Sequence, residues 1–149
     1  MYAARVVRVF DADTVWVQPA GGGRWRKLRL DGLDAPEICQ SGGVAARDAL
    51  SAQLLQREVT VRQSAVDGYG RGIVRIQQGG RDINAWLVSS GWAWASRWRG
   101  RGAYVAQEER ARAAARGVWA ERAAAEDPRD FRRRHGPCPL PARSGSGAR

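Results

Sequence analysis

Acidic residues in this 149-residue chain are concentrated in two short segments that have the composition of turns. The first contains Asp11 and Asp13, and the second, after a later strand-like run, contains Asp31, Asp34 and Glu37. A hard divalent cation such as calcium takes several oxygen ligands from carboxylates, carbonyls and water. Two loops at one rim of a sheet could supply them. Aspartate and proline also favour ordinary turns, so a structural role is the alternative.

Two arginines give the acidic residues a chemical context. Arg29 lies at the end of a predicted strand, five residues before Asp34, and Arg71 stands in a glycine-flanked turn that lets its side chain project. Two guanidinium groups facing a metal-bound phosphate would stabilise the charge of a pentacoordinate transition state. Glu37 could orient or deprotonate the attacking water. The set therefore predicts phosphodiester hydrolysis.

The elements that must position these residues are mainly β, with helices added. Alternation, turn residues and helix stop signals predict strands over 5–10, 14–17, 25–30, 58–62 and 72–77 and helices over 44–56, 83–90 and 104–116. This order fits a five-stranded Greek-key barrel of the oligonucleotide-binding (OB) type with about three helices. Such barrels commonly bind oligonucleotides on one face, but the fold alone does not establish chemistry.

The chain length fits one domain with its own core. We assign residues 1–127 to this domain and 128–149 to a basic, Pro/Gly-rich tail that is partly disordered, with disorder expected from about Gly136. The cluster Arg132-Arg133-Arg134-His135 is interpretable either as a phosphate-binding tail or as a solvated charge run.

The net charge of +10 is carried almost entirely by arginine, since Lys27 is the single lysine. Guanidinium pairs bidentately with phosphate, which favours a polyanionic partner, although a genome rich in arginine codons gives the same composition. No apolar run approaches the ~18 residues of a membrane span, and the first residues lack a signal peptide. We therefore expect an intracellular protein, or a secreted or periplasmic one whose leader is missing from this sequence.

Two cysteines and one histidine exclude the usual Cys/His zinc arrangements, so a metal here would need oxygen ligands. If Cys39 and Cys138 are bonded, they close a loop of about 100 residues and tie the tail beside the catalytic rim. That bond would imply an oxidising compartment. Two unrelated thiols are the alternative.

Three segments resemble the signature segments of the staphylococcal nuclease (thermonuclease) family. They are Asp11-Ala12-Asp13-Thr14-Val15, Arg29-Leu30-Asp31-Gly32-Leu33-Asp34-Ala35-Pro36-Glu37 and Asp67-Gly68-Tyr69-Gly70-Arg71-Gly72. The later run with Tyr104, Glu108, Ala111-Arg112 and Gly117-Val118-Trp119 resembles the last helix of that family and its tryptophan. The resemblance covers roughly Arg5 to Trp119, with the three segments in order and suitably separated.

The resemblance implies an OB-fold nuclease that uses calcium to cleave DNA and RNA with little sequence preference and leaves 3′-phosphate products. It assigns calcium to the carboxylates of Asp13 and Asp34 and the carbonyl of Ala35, water activation to Glu37, and the scissile phosphate to Arg29 and Arg71. Tyr69 would lie beside the terminal phosphate or sugar of the nucleotide.

The chain departs from the family pattern at two positions and leaves three questions open. Ala35 stands where the family often has threonine, and Ala12 where it often has glycine, which is harmless only if Ala12 has negative φ. Trp98 is a candidate for base stacking, with core or loop packing as the alternative. An OB module that binds nucleic acid without cleaving it is the alternative function, but the five principal residues are intact. We expect a monomer acting on single-stranded or locally melted nucleic acid.

Overall fold

The computed structural model describes residues 1–97 and 102–139. A six-stranded sheet runs in the order β3-β2-β1-β5-β6-β7, and an additional pairing of β3 with β6 closes the first five strands into a barrel. The strands of this sheet are β1 (Tyr2–Asp11), β2 (Thr14–Pro19), β3 (Arg26–Leu30), β5 (Glu58–Val66), β6 (Gly72–Gln78) and β7 (Arg81–Asp82). The predicted OB-type barrel is confirmed.

The barrel closes because its strands alternate between inward apolar and outward polar side chains. In β2, for example, Val15 and Val17 are fully buried while Trp16 and Gln18 between and after them are only partly so. Neighbouring strands pair antiparallel, with the single exception among the described pairings of β3 and β6, which run parallel with Arg29 opposite Ile73. This parallel pairing brings the strand that ends near Arg29 beside the strand that begins after Arg71.

The described part of the chain contains four α-helices, one more than expected. They are α1 (Gly43–Leu54), α2 (Ile83–Ser89), α3 (Val105–Ala113) and α4 (Pro128–His135), and a 3₁₀ segment spans Gly117–Ala124. The helix expected over 104–116 is shorter at its end because Ala115 takes a left-handed conformation with φ 53°. No described helix is long and apolar enough to cross a membrane.

A small second sheet lies next to the barrel and was not predicted from the sequence. It pairs β4 (Leu33–Asp34) antiparallel with β8 (Trp94–Ala95), so that Asp34 lies opposite Trp94. Two-residue strands carry no periodicity that could reveal them. Their pairing fixes the segment that contains Asp34 against the segment that leads into α3.

Candidate active site

Asp13 lies at the centre of a buried cluster in the turn between β1 and β2. Its backbone N–H donates to Asp11 Oδ1 at 3.1 Å, which shapes the turn. The Asp13 side chain is largely buried, and its two oxygens accept hydrogen bonds from the Thr14 hydroxyl at 3.1 Å and the Ala35 N–H at 2.9 Å. Ala12 is fully buried and is not among the described non-glycine residues with positive φ, so alanine replaces glycine there without strain.

Arg29 joins the two acidic segments. Its Nη1 donates to the carbonyls of Leu30 at 2.7 Å and Leu33 at 3.1 Å, which fixes the guanidinium plane. From this position Nη1 lies 3.4 Å from Asp13 Oδ2, and Nη2 lies 3.4 Å from Asp34 Oδ1. One arginine at the end of β3 therefore holds both predicted metal-binding carboxylates at one rim of the barrel.

The pKa values of the two carboxyl groups in the β1–β2 turn, Asp11 and Asp13, are shifted in opposite directions. Burial, followed by the negative charge of Asp13, raises the pKa of Asp11 from 3.8 to about 8. Burial alone would also raise the pKa of Asp13, but the Arg29 guanidinium and the hydrogen bonds from Asp11, Ala35 and Thr14 together lower it. Asp13 is thus the member of the pair that carries the charge at neutral pH.

Asp34 faces both acidic and basic neighbours. Burial and the charge of Asp13 raise its pKa, and the guanidinium groups of Arg132 and Arg29 oppose that rise without cancelling it. Mutual repulsion between carboxylates in a small buried region is the condition that a bound cation relieves. The raised pKa of Asp34 thus reflects its burial first and the neighbouring Asp13 charge second.

Glu37 is positioned by a short loop that returns on itself before α1. Gln40 is buried, accepts the Glu37 N–H through its side-chain oxygen at 3.0 Å, and donates its own N–H to the Glu37 carbonyl at 2.8 Å. Gly43, the first residue of α1, packs so closely that a Cβ there would lie 2.0 Å from the Glu37 carbonyl oxygen. The glycine lets α1 approach the loop that carries the candidate base.

Arg132 completes the site from the other end of the chain. Its Nη2 lies 3.2 Å from Asp34 Oδ2 and its Nη1 lies 3.1 Å from Glu37 Oε1. Partial burial opposes the charge, but the hydrogen bonds and charges of Asp34 and Glu37 outweigh it and raise the pKa of Arg132. In the sequence this residue is recognisable only as part of a basic cluster. Because it lies 95 residues from Glu37, sequence reasoning did not assign it to the site.

Arg71 and Tyr69 lie in the turn between β5 and β6. Asp67 organises that turn: one carboxylate oxygen accepts the N–H groups of Tyr69 and Arg71, each at 2.9 Å, and the other accepts Arg71 Nε at 2.7 Å. The Arg71 guanidinium also lies 5.4 Å from the centroid of the Tyr69 ring, which is 88% exposed. The Arg71 side chain thus pairs with Asp67 and lies against the Tyr69 ring.

The parallel pairing of β3 and β6 places the Asp67 turn beside the cluster. Because Arg29 pairs with Ile73, Arg71 is two residues, or roughly 6.6 Å of strand, from the register position of Arg29. Trp98, the candidate for base stacking, lies outside the described residues. The structure therefore brings together Asp13, Arg29, Asp34, Ala35 and Glu37, with Arg71 and Tyr69 on the adjacent turn.

A disulfide joins the catalytic rim to the end of the chain. Cys39 and Cys138 are bonded with their Cα atoms 5.7 Å apart. Cys39 lies two residues after Glu37, and Cys138 lies three residues after the end of α4. Residues 136–139, the start of the segment expected to be disordered, are thus placed beside Glu37, and the rest of that segment lies outside the described residues.

The donors of this rim suit calcium in kind. Asp13, Asp34 and the Ala35 carbonyl offer only hard oxygen atoms, the kind of donor that calcium prefers. Within 1–97 and 102–139, however, no group of three or more His, Cys, Asp or Glu side chains is arranged as a ready metal cage. Arginines instead contact the carboxylates that the sequence assigned to the metal.

Comparison with known proteins is consistent with this geometry. The family model described as staphylococcal nuclease homologue matches residues 27–121. A protein named ParB from Escherichia coli is 35% identical over 137 aligned residues, covering 81% of this chain and 74% of that protein. A micrococcal nuclease of Shigella flexneri is 34% identical over 144 residues, covering 89% and 81% respectively. A Haemophilus influenzae protein named uncharacterized endonuclease is 31% identical over 118 residues, covering 78% and 66%.

Proposed function

Because this chain belongs to the staphylococcal nuclease family, we propose that it is a calcium-dependent nuclease that cleaves DNA and RNA with little sequence preference and leaves 3′-phosphate products. Relatives named as nuclease and endonuclease support phosphodiester hydrolysis. The observation that carries the proposal is the partly buried cluster in which Arg29 joins Asp13 and Asp34, with Glu37 linked to the same Asp34 through Arg132.

In this proposal each side chain has a distinct task. Glu37 accepts a proton from, or orients, the attacking water, and the Gln40 contacts keep its loop in place. Arg29 and Arg71 bind the scissile phosphate and stabilise the charge that develops on its oxygens. Tyr69 is exposed beside Arg71, where its ring and hydroxyl can contact the sugar or terminal phosphate of a nucleotide.

Calcium, held by Asp13, Asp34 and the Ala35 carbonyl, would polarise the phosphate and reduce the electrostatic repulsion between its oxygens and the attacking water. Replacement of threonine by alanine at position 35 is compatible with this, because the donor is a backbone carbonyl. The Ala35 N–H donates to Asp13, which fixes the position of Ala35 relative to that carboxylate.

A cleavage assay tests the proposal. The oxidised protein is incubated with end-labelled single-stranded DNA, RNA and duplex DNA, with calcium or with excess chelator. We expect calcium-dependent cleavage, faster on single strands, and products that terminal transferase extends only after phosphatase treatment. Retention of DNA on a filter without cleavage would instead support the OB binding module. Cleavage that persists in chelator would contradict the role of calcium.

We further propose that the protein acts in an oxidising compartment, such as the periplasm or the exterior of the cell, and that it acts as a monomer. The disulfide between Cys39 and Cys138 supports the first point, since such bonds persist outside the reducing cytosol. Fractionation of the source cells and sedimentation of the purified protein test the two points separately.

A further inference from the structure

A groove adjoins the acidic cluster on the side away from the Asp67 turn. It has a volume of about 760 Å³ and lies between the paired strands β4 and β8 and the helix α4. Among the described residues, five arginines line it: Arg29, Arg97, Arg129, Arg132 and Arg133. Three aspartates also line it, so the groove is cationic overall. We name it the α4 groove.

The arginines of α4 are arranged to face this groove together. Arg129, Arg132 and Arg133 occupy positions i, i+3 and i+4, which share one face of a helix. Phe131 points elsewhere and is buried. Arg134 pairs instead with Glu126, at 2.8 Å, and does not line the groove. Three arginines of α4 therefore line the groove, whereas Arg134, which carries the same charge on the same helix, does not.

Arg132 and Arg29 contact the two oxygens of one carboxylate, that of Asp34. Arg29 contacts Asp34 Oδ1 at 3.4 Å, and Arg132 contacts Asp34 Oδ2 at 3.2 Å. A phosphate group bound next to Asp34 would therefore have the Arg29 guanidinium on one side and the Arg132 guanidinium on the other. Guanidinium groups form bidentate, charge-assisted hydrogen bonds with phosphate oxygens and are weakly hydrated, so exchange of a carboxylate partner for a phosphate is favourable chemistry.

Both ends of α4 are fixed to the loop of Glu37. Before the helix, the Glu126 carbonyl accepts Gln40 Nε2 at 2.5 Å, and the other end of the same Gln40 amide accepts the Glu37 N–H. After the helix, Cys138 is bonded to Cys39. The groove is therefore preorganised, and α4 is part of the site rather than a free basic tail.

We propose that the α4 groove binds the phosphate backbone of the nucleic-acid strand next to the scissile bond, with Arg132 as a third substrate-binding arginine beside Arg29. This inference rests on the proposed nuclease function and adds to it the path of the strand. Arg129 and Arg133 contact phosphates further along that path. Arg97, paired with the buried Glu108 at 2.9 Å, lines the opposite side.

Binding in the absence of metal tests this without cleavage. Fluorescence anisotropy with a labelled single-stranded oligonucleotide, in chelator and over a series of salt concentrations, gives Kd and its salt dependence for the intact oxidised protein. We expect Arg132→Ala to weaken binding by about tenfold or more and to reduce the salt slope by about 0.7. Arg134→Ala removes the same charge from the same helix and should change Kd by less than about twofold.

A second variant separates the groove from the acidic cluster. Arg132→Ala also exposes Asp34 and Glu37, whose charge alone could repel DNA, whereas Arg129→Ala/Arg133→Ala leaves both carboxylates paired. We expect this double variant to weaken binding severalfold and to lower the salt slope by about 1.4. If it binds like Arg134→Ala, the groove does not carry the strand and the proposal is wrong.

Calcium affinity, measured by titration calorimetry, identifies the opposing outcome. If Arg132→Ala binds DNA like the control but binds calcium at least about tenfold more tightly, Arg132 is an inhibitory contact on the carboxylates and the proposal is overturned. If the wild-type protein binds DNA in this way but does not cleave it with calcium, the nuclease proposal fails while the groove stands.

Discussion

At the scale of single residues, Glu37 is the sharpest test of catalysis. Glu37→Gln removes the basic group but keeps an oxygen that can accept the hydrogen bond of Arg132 Nη1, now 3.1 Å from Oε1. We expect kcat to fall by about 10²–10⁴ while the melting temperature stays close to that of the wild type. Steady-state cleavage of a fluorogenic oligonucleotide with calcium measures this.

The matched control is Asp48→Asn, which removes an exposed carboxylate on α1 that pairs with its neighbour Arg47. Its kcat should equal the wild-type value. A loss of less than about tenfold in Glu37→Gln would show that another group activates the water.

Glu108 is a buried charged residue in the region beyond the barrel. Its carboxylate is fully buried, accepts the Ala95 N–H at 2.9 Å, and pairs with Arg97 at 2.9 Å and Arg112 at 3.2 Å. We expect Glu108→Ala to lower the free energy of unfolding by about 3 kcal/mol, because the β8 amide and two arginines lose their shared acceptor. Urea unfolding measures the change.

Glu109→Ala is the control, since that side chain is exposed on the same helix. We expect a change within about 0.5 kcal/mol there. Equal losses in the two variants would mean that the buried contacts of Glu108 contribute nothing specific.

The residue types of the site could be predicted because the chain carries them in local segments. Asp13, Arg29, Asp34 and Glu37 lie within one stretch whose turns bring them to one rim, so the residue types indicated a group, while the family resemblance supplied their roles and the choice of calcium. Arg132 could not be assigned in this way. Its contact with Glu37 depends on how α4 packs, and an arginine in a basic run looks the same whether solvated or paired.

At the scale of elements, helix α4 was not predicted, although an N-cap residue and a proline mark its start, because the arginine-rich run after them was interpreted as a tail. Asp127 caps the helix by accepting the Arg129 N–H at 2.8 Å, and Pro128 follows at the first position. The helix has only eight residues, and Phe131 is its single large apolar side chain among charged or potentially charged neighbours, so its apolar face is too small to stand out in a basic run. Its position depends on Gln40 and the disulfide. Strands β4 and β8 escaped detection for a similar reason, since pairing between distant segments defines them.

The cap of α4 yields a prediction about local stability. Asp127→Ala should raise the exchange rates of the last α4 amides, such as that of Gly136, which donates to the Arg132 carbonyl, by about fivefold, the equivalent of ~1 kcal/mol. Native-state hydrogen exchange measures this. Asp130→Ala removes a first-turn carboxylate that pairs with Arg133 but accepts no cap hydrogen bond, so it should raise these rates less than Asp127→Ala does. Equal effects would contradict the role of the cap.

Gly91, which follows α2, lets the chain there pass close to the start of the 3₁₀ segment. Gly91 has φ +82°, and a Cβ there would lie 2.1 Å from the Arg116 carbonyl oxygen, while its own carbonyl accepts the Val118 N–H at 2.9 Å. We expect Gly91→Ala to destabilise the protein by about 2 kcal/mol more than Gly80→Ala. Gly80 has nearly the same φ, +79°, but open space around it.

Thermal or urea unfolding of the two glycine variants gives this difference directly. Gly80→Ala reports the conformational cost of a left-handed alanine, about 1 kcal/mol. If Gly91→Ala costs no more, the close backbone approach at Gly91 relaxes freely.

At the scale of the whole molecule, two contacts between distant segments bring the site together. One is the pairing of β3 with β6 that closes the barrel, and the other is the disulfide between Cys39 and Cys138. The parallel pairing of β3 with β6 sets Arg71 near Arg29, and the disulfide sets α4 near Glu37. The barrel class followed from the order of strands and turns, but neither closing contact is local in sequence. A substrate strand with one negative charge per nucleotide would then meet the arginines that these contacts bring to the site, among them Arg29 and Arg132.

The disulfide should dominate the stability of this arrangement, because it joins residues 99 positions apart. The chain-entropy estimate for a loop of that length is about 4.7 kcal/mol, so reduction should lower the free energy of unfolding by roughly 4 kcal/mol. Urea unfolding with and without reductant measures the loss. Cys39→Ser/Cys138→Ser should show the lower stability in both conditions, and a wild-type protein insensitive to reductant would show that Gln40 and Arg132 hold α4 without the bond.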